Sequence, residues 1–369
     1  MKRLLSLLSF CLVLVVSCIS DFTPEVKGTS GILVVDGMIT NGESVFRLGR
    51  SVSVTDTLFG NELITNASMS VERSDGVSWE AKTEKDGYYH IWVGELDPDL
   101  AYRLNFTLDG KQYQSSFLKP MLTAEITSLS YQKDGIGKPV GIYLSCDGGA
   151  NTSVYYRWSY LENWELHTSL FAKQGYVNGK LTDFDLRTAN NRYYCWGRDS
   201  SKALLLETTK GLLENRVEQK RLYELPCSDE KLSILYHVEV SQTQLREDAY
   251  DYYRCMQDAV ERTGGLFNLV MSAGDNGNIV CLSDPKEIVI GYVEVTNTTK
   301  KSMYISSVSR DIYEPPMDYC WIREKGDQGM QLPWVDYYEK TYATWNCVDC
   351  REHYNATKNK PSWWPTDHL

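Results

Sequence analysis

Basic residues, histidines and long apolar runs are all scarce in this sequence. Lysine and arginine number 38 against 49 aspartates and glutamates, for a net charge of −11. That balance argues against nucleic acid as a partner, because neutralising phosphates needs a basic surface. The five histidines, His90, His167, His237, His353 and His368, form no zinc-protease pattern, and no serine sits in a nucleophile-elbow motif. Carboxylate pairs of the glycosidase kind meet only in three dimensions and have no specific support in the sequence. Beyond the N-terminus, no stretch offers the roughly 20 apolar residues that a helix needs to cross about 30 Å of hydrocarbon. Long repeats and low-complexity tracts are lacking too.

What is present begins at the N-terminus. Lys2 and Arg3 precede an apolar run from Leu4 to Val16, and the run closes on Val15-Val16-Ser17-Cys18. This is the pattern of a secretory signal of the lipoprotein type, cut ahead of a cysteine whose thiol takes diacylglycerol. Residues 1–17 are therefore expected to be removed, Cys18 to be lipidated, and residues 18–30, polar with Pro24 and Gly28, to form a tether. Two or three acyl chains hold such an anchor firmly, each CH₂ contributing about 0.8 kcal/mol. Ile19 in place of an aspartate after Cys18 leans toward outer-membrane sorting.

The mature chain reads as mainly β. From 31 to 122, short alternating segments are separated by turn residues. Tyr102, Leu104, Phe106 and Leu108 face one way, Asp109-Gly110 tolerate positive φ, and the chain returns through Tyr113, which predicts a β-hairpin. With Asp86-Gly87-Tyr88 nearby, the spacing predicts an Ig-like or prealbumin-like β-sandwich. A larger β-rich domain is expected over 123–310, its last strands over 279–282, 287–295 and 303–308. One helix interrupts it near 244–263. Leu245, Ala249, Tyr252, Met256, Ala259 and Val260 recur at helical spacing, Ser241 with Gln244 offers a capping box, and Gly264-Gly265 stops the run. Residues 311–369 form a cysteine- and aromatic-rich tail expected to pack on the second domain.

Of the ten cysteines, Cys11 lies in the signal and Cys18 takes the lipid. The remaining eight, Cys146, Cys195, Cys227, Cys255, Cys281, Cys320, Cys347 and Cys350, suggest disulfides in an exported chain, with the pairing left open by spacing alone. Cys347 and Cys350, with His353 behind them and Cys320 as a fourth ligand, offer structural zinc as an alternative, and a CxxC pair offers redox work. The oxidising compartment favours disulfides, and no cofactor is expected. Asp275-Asn276-Gly277-Asn278 resembles the start of a calcium loop but lacks the closing glutamate, so it reads as a turn, and Asp183 with Asp185 is weaker still. His90 and His237 read as strand residues. The aromatic groups Tyr155-Tyr156-Arg157-Trp158, Trp164, Tyr193-Tyr194-Cys195-Trp196 and Trp363-Trp364 read as core or packing before stacking platforms for sugars or peptides.

Several stretches, in order, carry a resemblance. They are Ile32-Leu33-Val34-Val35-Asp36-Gly37-Met38-Ile39-Thr40, Tyr236-His237-Val238-Glu239-Val240-Ser241-Gln242 and Ala249-Tyr250-Asp251-Tyr252-Tyr253, followed by Gly264-Gly265-Leu266-Phe267, Gly277-Asn278-Ile279 and Ile290-Gly291-Tyr292-Val293. The tail adds Cys347-Val348-Asp349-Cys350-Arg351 and Lys360-Pro361-Ser362-Trp363-Trp364. Across nearly the whole mature chain this order is similar to the Bacteroidetes lipoproteins grouped as domain of unknown function 4249. Trp364 stands where phenylalanine is expected, and the loops with Cys146, Cys227, Cys255 and Cys281 look additional.

The resemblance implies an outer-membrane lipoprotein commonly encoded beside a TonB-dependent receptor. It implies no reaction and carries no catalytic residues across. The expectation is a non-enzymatic, lipid-anchored binding or accessory component that works with such a receptor in nutrient uptake. The alternatives are a structural or adhesive, fimbria-like surface protein and a hydrolase.

Overall fold

Alternation of apolar and polar residues gives each strand one face for a core and one for other surroundings. In the antiparallel pair Leu33–Ile39 and Gly42–Arg50, Leu33, Val35, Phe46 and Leu48 are buried, whereas Asp36 and Val45 are exposed. A computed structural model describes residues 31–50, 62–83, 87–150, 152–188, 190–263, 277–307, 311–315, 320, 334–336 and 341–365, and among these the chain is mainly β. The signal and tether with Cys18, Gly264-Gly265, Asp275-Asn276 and His368 lie outside the described residues.

Two sheets of the first region enclose one core. The seven-stranded sheet is centred on Leu33–Ile39, Gly42–Arg50 and Tyr88–Gly94, and the five-stranded sheet on Ser68–Arg73, Tyr102–Leu108 and Lys111–Ser115. Phe46, Leu48 and Ile91 from one sheet meet Val71, Leu104 and Tyr113 from the other. The expected hairpin is present: Asp109 and Gly110 have φ of 51° and 78°, and Phe106 sits opposite Tyr113 with ring centroids 4.6 Å apart.

The expected second domain gives strands back to the first region. Ile279–Cys281 pairs with Lys111–Ser115, while Val289–Ile290 and Glu294–Val295 run parallel to Leu33–Ile39. Two glycines permit this insertion. A Cβ on Gly277, whose φ is +108°, would stand 1.8 Å from the Gly291 carbonyl oxygen, and one on Gly291 would stand 2.5 Å from that of Val35. Parallel pairing of segments this distant needs a long crossover, which local periodicity does not reveal.

That crossover is the second region. Its six-stranded sheet runs Thr299–Ser306, Leu235–Leu245, Tyr155–His167, Tyr194–Ser200, Ala356–Thr357, with Leu205–Thr208 also beside Tyr155–His167. A three-stranded sheet of Ile126–Lys133, Val140–Asp147 and Arg216–Leu225 covers one face, and Trp158, Trp164, Tyr236 and Val238 pack against Val140, Ile142 and Leu144.

The helix spans Glu247–Thr263, so it begins three residues later than expected. The proposed capping pair is overturned: Ser241 and Gln244 belong to Leu235–Leu245, and the fully buried Gln244 accepts a hydrogen bond from the Ala124 amide at 2.7 Å. Pairing of Leu235–Leu245 with Tyr155 to Glu165 outcompetes a cap that local spacing would allow. Ala249, Tyr252 and Tyr253 bury the helix against Tyr155 of the second region and Tyr292 of the segment returning to the first.

A polar seam joins the regions beneath this helix. Gln242 donates to the Ala124 carbonyl at 2.8 Å and accepts from Trp158 Nε1 at 2.8 Å, and Gln244 N donates to Thr123 Oγ1 at 3.1 Å. Arg246 pairs with the carboxylate of Glu294, whose side chain is 1% exposed, and also donates to the Lys119 carbonyl. Replacing Glu294 by alanine leaves a half-buried guanidinium unpaired. It is expected to cost about 3 kcal/mol, the low end for a buried pair because Arg246 keeps some access to water. Urea unfolding measures this, and a loss below about 1 kcal/mol would show that the pair contributes nothing net.

Candidate functional site

The residues that sequence singles out for chemistry gather mostly in the tail. Cys195 bonds Cys350 and Cys320 bonds Cys347, each with Cα atoms 5.6 Å apart. The CxxC cysteines are therefore not joined to each other. Of the other disulfide candidates, Cys146, Cys227 and Cys281 are free thiols, and Cys255 lies outside both bridges. Cys146 is fixed in the Val140–Asp147 strand with its side chain in the second core, whose other cysteines, Cys195 and Cys350, are bonded to each other, and burial pushes its thiol up to about 12. Among the described residues the zinc alternative's Cys320, Cys347, Cys350 and His353 do not form one ligand set. The sulfurs of Cys320, Cys347 and Cys350 are all in bridges, and His353 lies 2.5 Å from Glu230 through Nδ1 and 2.8 Å from the Asn346 carbonyl through Nε2.

The Cys195–Cys350 bridge clamps the tail to the sheet, and Cys320–Cys347 closes a loop within the tail. Ala356–Thr357 adds to the strand Tyr194–Ser200, and Trp364 Nε1 donates to the buried Glu165 carboxylate at 2.8 Å. Asp349, 1% exposed, accepts from the Arg351 amide at 3.0 Å and from its guanidinium at 2.9 and 2.7 Å. The CxDCR motif is thus a structural knot. His237, held between the rings of Tyr304 and Trp363, and His90, 3.2 Å from Glu43, are strand residues as expected. Asn278 ties two strands by exchanging hydrogen bonds with Val293, and Asp185 accepts from the Arg187 amide in a turn.

The concavity lies elsewhere, between the two regions. A cleft of about 770 Å³ has the outer face of the six-stranded sheet as floor, the seven-stranded sheet as one wall and the helix as another. Its volume falls in the range of small-molecule sites. Sheet registers place the floor residues: Ser159 lies opposite Ser241, which lies opposite Lys300, and Leu161 lies opposite Glu239. Arg157 projects to the same side, because alternation along its strand sends Tyr156 and Trp158 into the core. Asp36 and Arg47 are cross-strand partners on the wall, and Tyr252, Tyr253 and Met256 come from the helix.

The electrostatics of the cleft are mixed. Lys300 pairs with Glu239 at 3.0 Å and Lys202 with Asp199 at 3.4 Å. The Arg157 guanidinium lies 4.4 Å from the Tyr253 ring centroid. Burial raises the Tyr252 and Tyr253 phenols above their ordinary range, and both remain hydrogen-bond donors at physiological pH. No histidine or cysteine lines the cleft among the described residues, so its serines have no imidazole beside them. The arrangement suits recognition by hydrogen bonds and charge. Sequence reasoning places Arg157 in an aromatic cluster, Tyr252 in a helical stripe and Asp36 in a strand, but it does not bring them together. The available signal is a charged residue at the alternate positions of otherwise apolar strands.

Non-reduced peptide mapping is expected to recover Cys195–Cys350 and Cys320–Cys347. Loss of the first bridge in Cys350→Ser should cost about 2–5 kcal/mol in chemical denaturation. Glu230 raises the pKa of His353 above its usual 6.5. This contribution to stability is full below about pH 6.5 and is lost as pH rises through the higher folded value. In urea midpoints taken from pH 5.5 to 8.5, His353→Gln should flatten that decline.

The family described as Domain of unknown function (DUF4249) matches residues 19–302. No curated protein matches the chain.

Proposed function

The chain belongs to the DUF4249 family, and from that membership and the cleft we propose that it is a lipid-anchored outer-membrane binding protein serving a TonB-dependent receptor. In this reading Cys18 carries the lipid, residues 18–30 tether the fold to the membrane, and the protein captures a ligand without transforming it. The cleft of about 770 Å³ between the regions, walled by tyrosines and arginines, is the observation that carries the binding role. The lipoprotein signal ending at Cys18 supports the anchor.

Affinity purification of the tagged protein from its own outer membrane, followed by mass spectrometry, tests the partnership. A stoichiometric TonB-dependent receptor is expected. Recovery of the protein alone would remove the accessory role, and recovery of polymers of itself would favour an adhesive surface protein. Cys18→Ser is expected to abolish palmitate labelling and release the protein from the membrane fraction, and retained labelling would refute the anchor.

A further inference from the structure

We propose that the cleft binds a polyhydroxylated carboxylate, the chemistry of a uronic acid unit in a saccharide. This deepens the binding reading above and rests on it. The argument starts from two arginines. Every other described arginine that is not solvent-exposed, from Arg50 with Asp109 to Arg246 with Glu294, has a carboxylate partner. Among the described residues Arg47 and Arg157 have none, and both are half-buried and line the cleft. The Nε of Arg47 is buried and makes no hydrogen bond among the described residues. A guanidinium withdrawn from water without a counter-charge is unfavourable, and its forked donors match a carboxylate. The site is thus short of one anion.

The remaining groups narrow the ligand. The lysines of the cleft are already matched, Lys300 by Glu239 and Lys202 by Asp199. Asp36 lies opposite Arg47, is exposed, and has no ion pair among the described residues. Unpaired charge therefore amounts to two cations against one anion, which favours a singly charged group over a phosphate dianion. Asp36 can accept hydrogen bonds from ligand hydroxyls, and Ser159 and Ser241, neighbours on the floor, can donate and accept. A carboxylate beside several hydroxyls satisfies all of these at once.

Calorimetric titration of the whole mature protein with trigalacturonate, uncharged galactotriose and inorganic phosphate tests this. Saturable binding of trigalacturonate is expected, with galactotriose at least about tenfold weaker and Arg47→Gln and Arg157→Gln each weakening binding about tenfold. Arg47→Lys should retain part of the affinity, which separates charge from packing. Should Arg157→Gln misfold, the Arg47 variants and the uncharged trisaccharide carry the test. Equal binding of galactotriose, tighter binding of phosphate, unchanged affinity in a folded Arg47→Gln, or no binding of trigalacturonate at millimolar concentration would each overturn the proposal. A receptor recovered with a protein indifferent to trigalacturonate leaves the accessory reading standing and removes this one. Arginine-dependent binding without a receptor does the reverse.

Discussion

The buried polar seam around Gln242, Gln244, Arg246 and Glu294 is the constraint on which the rest of the structure depends. Where the chain passes between two sheet systems, the amide and carbonyl of Ala124 have no ladder to join, and an unpaired buried backbone group is costly. The side-chain amides of Gln244 and Gln242 take the place of a neighbouring strand for them. Thr299 Oγ1 adds a second donor to the Ala124 carbonyl at 2.8 Å. Because Arg246, next along the chain, pairs with Glu294 of the seven-stranded sheet and donates to the Lys119 carbonyl, the seam sets how the regions meet. The cleft is the space left beside it, bounded by outer sheet faces that would otherwise be open to solvent.

A second constraint acts on the opposite flank. The bridge between Cys195 and Cys350 spans 155 residues of sequence, so it holds the tail against a strand that local interactions could not bring near it. Trp364 on Glu165 and the short strand Ala356–Thr357 reinforce it. A sheet assembled from long-range pairs gains from such cross-links, because its contacts reward the chain only after distant segments have closed. The seam orients the regions, and the clamp completes the sheet whose outer face, on which Glu165 also lies, forms the cleft floor.

Legibility varied with the range of the interaction. The Asp109-Gly110 hairpin was readable because the turn residues and flanking alternation are adjacent, and the helix was readable from its stripe at Ala249 and Tyr252. Its first turn was misplaced because Gln244 looks locally like a cap while its strand partner, Tyr156, lies far away in sequence. Strands at Ile279–Cys281 and Glu294–Val295 were recognised as strands and grouped with the second domain, whereas they pair with strands of the first region. Cysteine count suggested bridges, yet the pairing crossed the CxxC motif, since Cα proximity rather than sequence proximity decides which thiols bond.

By itself, the sequence determined the β character of the chain, its hairpins, its long helix and its family membership, because each rests on periodicity or motif order within short windows. Only the tertiary structure decided which sheets share strands, which cysteines pair and that Asp36, Arg47, Arg157 and Tyr252 line one cleft. Those outcomes depend on side chains whose positions along the chain are unrelated and whose proximity arises from the packing of two sheet systems across a buried polar seam.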